Sequence, residues 1–182
     1  MDDELGWETL GDETAYTCPG FDVVHEAVRL PDGTITDFDY VSEPPSVVVL
    51  PFTEDDEVVV VDEWRQAVDR VNRGLPAGTM KPSDDGLGAA AHRELEEETG
   101  YEADEVEHLV SVEPENGIAD SVHHHFVARG CTPTGEQDLD DDESIRVDAT
   151  TLTALKTAIG AGDIRDGRTV VGVLYYETFE SV

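Results

Sequence analysis

The sequence predicts an α/β (α+β) fold, a sheet covered by helices and preceded by a small β unit, and three observations carry that reading. Residues 47–52 and 57–61 are β-prone runs of near-continuous valine, the pattern of strands buried on both faces. Residues from about 85 to 99 carry a helical repeat that stops at Gly100, a residue suited to the left-handed position after a helix. Upstream, residues 23–30 and 34–41 flank Pro31-Asp32-Gly33, which reads as two strands around a tight turn. At 182 residues the chain has room for one well-packed domain and an appendage.

In chain order, residues 1–20 are acidic, with Trp7 and Tyr16 as their aromatic side chains, and fit either a loose arm or a docked strand. Pro44-Pro45 marks a boundary after the hairpin, so residues 1–45 are expected as an N-terminal unit and 46–182 as the main domain. Thr53-Glu54-Asp55-Asp56 separates the two valine runs. Beyond the central helix, residues 107–112, 123–128 and 145–147 read as further strands. Leu152, Leu155 and Ile159 recur at helical spacing, with Gly160 and Gly162 as the stop, whereas the periodicity of residues 169–179 suits helix or strand. His123-His124-His125 is read as a structural run, because neighbouring strand residues point to opposite faces and only the outer two share a side.

Composition bounds the setting. The formal net charge is −32, from 43 acidic against 11 basic residues, and only Lys81 and Lys156 are lysines. Such a chain repels itself unless salt shortens the screening length, to about 3 Å at 1 M. This reads as a cytoplasmic protein of a salt-in halophile, and it argues against a nucleic-acid partner held through a basic surface. Disorder does not suit a chain that is 38% hydrophobic with clear periodic runs. Cys18 and Cys131 are read as unpaired thiols. No apolar run approaches the ~20 residues of a membrane span, and no signal peptide stands at the start, so a soluble protein is expected.

The chemistry concentrates in the helix. Leu87, Ala90 and Ala91 form an apolar stripe, and Glu94, Glu97 and Glu98 continue the same stripe through the last two turns, while His92 and Glu96 lie opposite. Carboxylates at helix-neighbour spacing of ~5–6 Å repel by roughly 3 kcal/mol per pair at an effective dielectric of about 20. A positive charge is therefore expected among them. Oxygen ligands without histidine or cysteine favour Mg²⁺, or Mn²⁺ in its place, over zinc, and metal-assisted attack on a phosphate ester or diphosphate is the implied reaction.

Arg93-Glu94-Leu95-Glu96-Glu97-Glu98-Thr99-Gly100-Tyr101 resembles the second half of the Nudix box, Arg-Glu-apolar-X-Glu-Glu-X-Gly-apolar, at every specified position. Leu75-Pro76-Ala77-Gly78 is similar to the run that opens the box in ADP-ribose pyrophosphatase-like members. The resemblance implies an α/β/α sandwich with a mixed central sheet. It also implies metal ligation by Glu94, Glu97, Glu98 and the carbonyl of Ala77, with Arg93 paired to an acidic residue early in the box. Counting back from Arg93 assigns that place to Asp85, with six residues between it and Gly78 where the family has five before a Glu, and Asp84-Asp85 also suits a helix N-cap. Gly74 stands where this subgroup usually has Glu.

The same resemblance makes Arg65, in Glu63-Trp64-Arg65-Gln66, a candidate for a substrate phosphate, since a guanidinium fork suits phosphate oxygens, with a surface salt bridge as the ordinary alternative. Residues 115–121 take the place of the family's substrate loop. Glu143, with Asp142 second, is the candidate catalytic acid in the loop before Ile145, alongside Glu97 and Glu98, with a solvated acidic loop as the ordinary alternative. The N-terminal strand unit implies a homodimer, with a hairpin that caps its own sheet as the ordinary alternative, and residues 169–179 are expected to be helical. The implied activity is divalent-metal-dependent hydrolysis of a nucleoside diphosphate linked to another moiety, ADP-ribose to AMP and ribose 5-phosphate first. Nucleotide sugars, dinucleotides, nucleoside triphosphates, or a non-catalytic nucleotide-binding regulator are the alternatives.

Overall fold

The computed structural model describes residues 4–140 and 143–180. The chain divides into two compact units, one holding the residues up to Pro44 with Glu113–Val122, the other Pro45–Val112 with the chain from His123 onward.

The first unit is a three-stranded antiparallel sheet of β1 (Glu8–Thr17), β2 (Asp22–Arg29) and β3 (Ile35–Ser42), in that order. The acidic N-terminal segment is thus a strand: Glu8 faces Arg29 and Thr17 faces Asp22, with register irregularities at Gly11 and Tyr16. The β2–β3 turn closes through Gly33 in the left-handed region and the Asp32 carboxylate, which accepts from the Thr34 N–H at 2.9 Å. Trp7 meets Phe38 edge-on and Phe38 stacks on Tyr40. The segment Glu113–Val122 joins β3 through a parallel bridge, Val41 to Ala119. Asp120 fixes the end of that strand, accepting from Ser42 Oγ at 2.8 Å and the Glu43 N–H at 3.1 Å.

In the second unit the strands are β4 (Ser46–Thr53), β5 (Glu57–Arg65), β6 (Arg70–Gly74), β7 (Ala77–Thr79), β8 (Tyr101–Glu102), β9 (Glu105–Val112), β10 (His123–Pro133) and β11 (Ile145–Thr151). They form one sheet of order β11-β5-β4-β10-β8, with β6 on β5, β7 on β4 and β9 on β10. The β4–β10 pair is parallel and the others are antiparallel, so the sheet is mixed. The helices are α1 (Leu87–Thr99), α2 (Leu152–Ala161) and α3 (Gly167–Phe179).

The valine runs work as their pattern implies. Val47 and Val49 pack with Ala90, Ala91 and Leu95 of α1, while Val48, Leu50 and Phe52 pack on the other face with Leu155 of α2 and Val173 of α3. Alternate residues of one strand therefore feed two cores, and each side chain so buried stabilises by roughly 1.5–3 kcal/mol.

Two helix boundaries and two short strands differ from what the sequence predicts. Helix α1 begins at Leu87, not Asp85, because Gly86 turns the chain at φ 94° and neither aspartate caps it. Its other end is as expected, with Gly100 left-handed and its N–H on the Glu96 carbonyl. Helix α2 runs through Gly160 and stops at Gly162, whose φ is 77°. The short strands β6 and β7 went unforeseen, since Arg70-Val71-Asn72-Arg73-Gly74 has no apolar alternation and Ala77–Thr79 is three residues long.

Candidate active site at the end of helix α1

Strand β7 lies against β4, Ala77 opposite Val48, and delivers its backbone to the carboxylates of α1. The Ala77 N–H donates to Glu98 Oε2 at 3.0 Å. At Gly78 a Cβ would fall 2.2 Å from the Glu94 carboxylate, so only glycine leaves the space that this carboxylate fills. Glu94 is 6% exposed and Glu98 3%, whereas Glu97 is half-buried and His92 and Glu96 face solvent.

Burial sets the proton affinities. It raises Glu94 above the usual carboxylate range, and it pushes Glu98 up to about 8 against the opposing pull of the Ala77 N–H. The negative charges of Glu63, Glu94 and Glu143 add to the rise at Glu98.

The positive charge demanded by the clustered carboxylates comes from the protein itself. Arg93 Nη1 donates to Glu94 Oε1 at 2.7 Å and Glu97 Oε2 at 2.8 Å, and Lys81 Nζ reaches Glu97 Oε2 at 3.1 Å. The rest of the Arg93 fork grips Asp84, Nε on Oδ1 and Nη2 on Oδ2 at 2.8 Å each. Held so, the Asp84 carboxyl lies well below its ordinary range, at about 2. The partner of Arg93 is therefore Asp84, and the assignment to Asp85 is corrected: Asp84 also accepts from the Lys81 N–H at 2.7 Å, which fixes its carboxylate inward, and Asp85 is exposed. With Asp84 in this role, five residues separate Gly78 from the acid, and the extra residue falls between Asp84 and Arg93.

The loop after β10 covers the end of the helix. Asp138 N–H and Gln137 Nε2 donate to the carbonyls of Glu97 and Glu98 at 2.9 and 2.6 Å, satisfying groups that a helix leaves open at its C-terminus. Glu143 follows, half-buried, with Oε2 accepting from the Asp140 N–H at 3.0 Å, and its charge raises both Glu98 and Glu63. Asp142 lies outside the described residues.

Glu63 is a further candidate, whose charge adds to the rise at Glu98. It sits at the end of β5, 8% exposed, raised chiefly by burial and lowered by the charges of Arg65 and Arg168. The signal was available: Glu63 extends the Val59–Val61 face of a strand buried on both sides. Arg65 turns to this carboxylate, Nη2 on Glu63 Oε2 at 2.6 Å.

At Gly74 a Cβ would stand 2.9 Å from Thr169 Oγ1 and 3.3 Å from Asp166 Oδ2. The space beside Gly74 is thus filled from α3, whose N-cap Asp166 accepts from the Thr169 N–H at 2.9 Å and Oγ1 at 2.6 Å.

The histidine run does not gather. His125 is buried in the core, and His124 shares Ser111 Oγ at 2.7 Å with His108 on the neighbouring strand. Residues 115–121 belong to the first unit.

Among the described residues no three acidic, histidine or cysteine side chains stand in metal-holding geometry. Glu94 and Glu97 instead share one guanidinium nitrogen. The donor set nonetheless suits a hard divalent ion, because it is all oxygen, it is held at Gly78 where no side chain intrudes, and it already draws two cations. No helix among the described residues is long and apolar enough to cross a membrane.

Comparison with known proteins gives concordant matches. A model of the NUDIX domain matches residues 42–168. The chain is 33% identical over 156 residues to the methanol dehydrogenase activator of Bacillus methanolicus, covering 85% of this chain and 84% of that one. It is 28% identical over 176 residues to the ADP-ribose pyrophosphatase of Bacillus subtilis (strain 168), covering 96% and 95%. A crystal structure of an ADP compounds hydrolase shares the fold, with a TM-score of 0.83 over 95% of this chain and 93% of that one at 19% identity.

Proposed function

Because the chain belongs to the Nudix hydrolase family, we propose that it cleaves the diphosphate of ADP-ribose, releasing AMP and ribose 5-phosphate. The observation that carries this reading is the intact glutamate trio, two of its carboxylates buried against β7 and the third half-buried. Its likeness over nearly the whole of both chains to an ADP-ribose pyrophosphatase supports the substrate.

Glu94, Glu97, Glu98 and the Ala77 carbonyl would hold Mg²⁺, or Mn²⁺ in its place. Such an ion, when bound, neutralises diphosphate oxygens and makes water a stronger nucleophile. Glu98, with its proton affinity raised toward neutrality, suits exchange of a proton near physiological pH, and Glu143 is the second acceptor, with Glu97 the third. Glu63 holds Arg65 in place until a phosphate competes for the same guanidinium fork.

The working form we propose is a cytoplasmic homodimer in concentrated salt, joined through the first unit. There Tyr16 and Ile35 are exposed on one face of the sheet and Trp7, against Phe38, on the other, and a second copy would cover one of these faces.

A panel of ADP-ribose, nucleotide sugars, dinucleotides and nucleoside triphosphates, incubated in concentrated KCl with Mg²⁺ or Mn²⁺, tests the proposal. AMP and ribose 5-phosphate should form fastest from ADP-ribose. Faster turnover of another compound reassigns the substrate, and no turnover of any compound overturns the reading.

A further inference from the structure

In a chain with 43 acidic and 11 basic residues, three arginines line a single recess of about 290 Å³ between β6 and the α2–α3 connection. These are Arg70, Arg73 and Arg165, accompanied by Val71, Asn72 and Asp163. None of the carboxylates of α1 lines the recess, and Asn72 is the one residue it shares with the pocket of Glu63 and Arg65.

The three arginines differ in how they are used. Arg73 is consumed by acids, Nε and Nη2 on Asp62 at 2.8 and 2.9 Å and Nη2 also on Asp148 at 2.8 Å. Arg70 and Arg165 have no carboxylate partner among the described residues, although acids outnumber bases almost four to one. Each is instead tied by its Nε to a neutral oxygen close in sequence. Arg70 Nε donates to Asn72 Oδ1 at 2.8 Å, and Arg165 Nε donates to the Gly162 carbonyl at 2.9 Å.

That arrangement has a specific consequence. Fixing a guanidinium at Nε orients the plane while leaving both Nη groups to donate, so the ordering cost is partly met before any ligand arrives. Two such forks line one recess, and the paired N–H donors of a guanidinium suit phosphate oxygens. With Arg73 neutralised by its acids, Arg70 and Arg165 against Asp163 leave a positive balance in a field that is otherwise strongly negative.

We propose that this recess is a second anion site, and that it binds a phosphate group, either free phosphate or the monoester of a nucleotide. Val71, exposed beside the arginines, gives the site one apolar wall.

The test uses ¹⁵N-labelled full-length protein at one fixed KCl concentration, with a chelator present so that no divalent ion recruits phosphate to the carboxylates of α1. Potassium phosphate, AMP and adenosine are titrated separately, and the arginine Nε–Hε resonances are followed. Saturable movement of the Arg70 and Arg165 resonances is expected with phosphate or AMP and not with adenosine. Saturation by phosphate identifies the free ion as occupant, and saturation by AMP alone identifies the ester. The thermal midpoint should rise with the same ligand, and the rise should vanish in the Arg70→Gln/Arg165→Gln variant, which alters only exposed side chains. Non-saturating movement, the same movement with added KCl, or an equal midpoint rise in the variant would overturn the proposal.

Discussion

Gly78 and Glu94 touch so closely that a single methyl group could not stand between them: a Cβ on Gly78 would lie 2.2 Å from the carboxylate. The obstructing atoms are the end of a flexible side chain. Gly78→Ala should therefore fold with little loss of stability and still displace the Glu94 carboxylate. Divalent-ion affinity, read by calorimetry in concentrated KCl, should fall roughly tenfold or more, as 1.4 kcal/mol corresponds to a factor of ten. An unchanged affinity would remove Glu94 from the proposed ligand set.

Glu98→Gln keeps an oxygen for the Ala77 N–H and removes the charge. If Glu98 holds metal and exchanges the proton, turnover should drop on the order of 10²–10⁴-fold. Stability should move the other way. The folded-state proton affinity of Glu98 is raised, so its contribution is full below the ordinary carboxylate range and is lost as pH rises through about 8. Above that pH the metal-free variant should resist urea better than the parent, which separates a catalytic loss from unfolding.

The pairing of Arg93 with Asp84 distinguishes two adjacent aspartates. Asp84→Asn should lower the thermal midpoint and weaken metal binding, since the Arg93 fork would lose its anchor and be free to compete for Glu94 and Glu97. Asp85→Asn, at an exposed position, should change neither. Equal effects at both positions would refute the assignment.

What the sequence made legible follows from how local the signals are. The valine runs, the carboxylate stripe of α1 and the stop at Gly100 depend on periodicity and on one residue's backbone freedom, and each is present in the fold. The role of Asp84 was not legible, because it rests on a turn closed by the Lys81 N–H, and counting residues cannot see that turn. Asp166 was hidden for a different reason. It reaches the space beside Gly74 from 92 positions away, through a helix cap that only the packing of α3 on the sheet brings there. Strand β1 lay in between, since an acidic run acquires its partners only when β2 presents the opposite edge.

His125 is expected to set the acid limit of the fold. It is 1% exposed, it lies against Gly172, which Leu75 also approaches, and neither ring nitrogen has a hydrogen-bond partner among the described residues. Burial lowers its proton affinity from 6.5 to about 4, helped by the charges of His123, Arg168 and His108 and opposed by Asp166. An imidazole whose folded value is depressed destabilises the fold as it charges. Its stabilising contribution is full above about 6.5 and shrinks as pH falls, by about 1.4 kcal/mol per unit, to a total near 3 kcal/mol at the folded value. Asp62 and Asp84, both held at about 2, lose their contributions below this window. Glu98 gains in it as pH falls, so the net slope of the parent alone is ambiguous. The comparison with His125→Leu resolves it: between about pH 6.5 and 4.5 the variant should lose about 2–3 kcal/mol less than the parent in urea unfolding at constant KCl. Parallel pH profiles would mean that the ring finds a proton acceptor on charging, and that the acid limit lies with other groups.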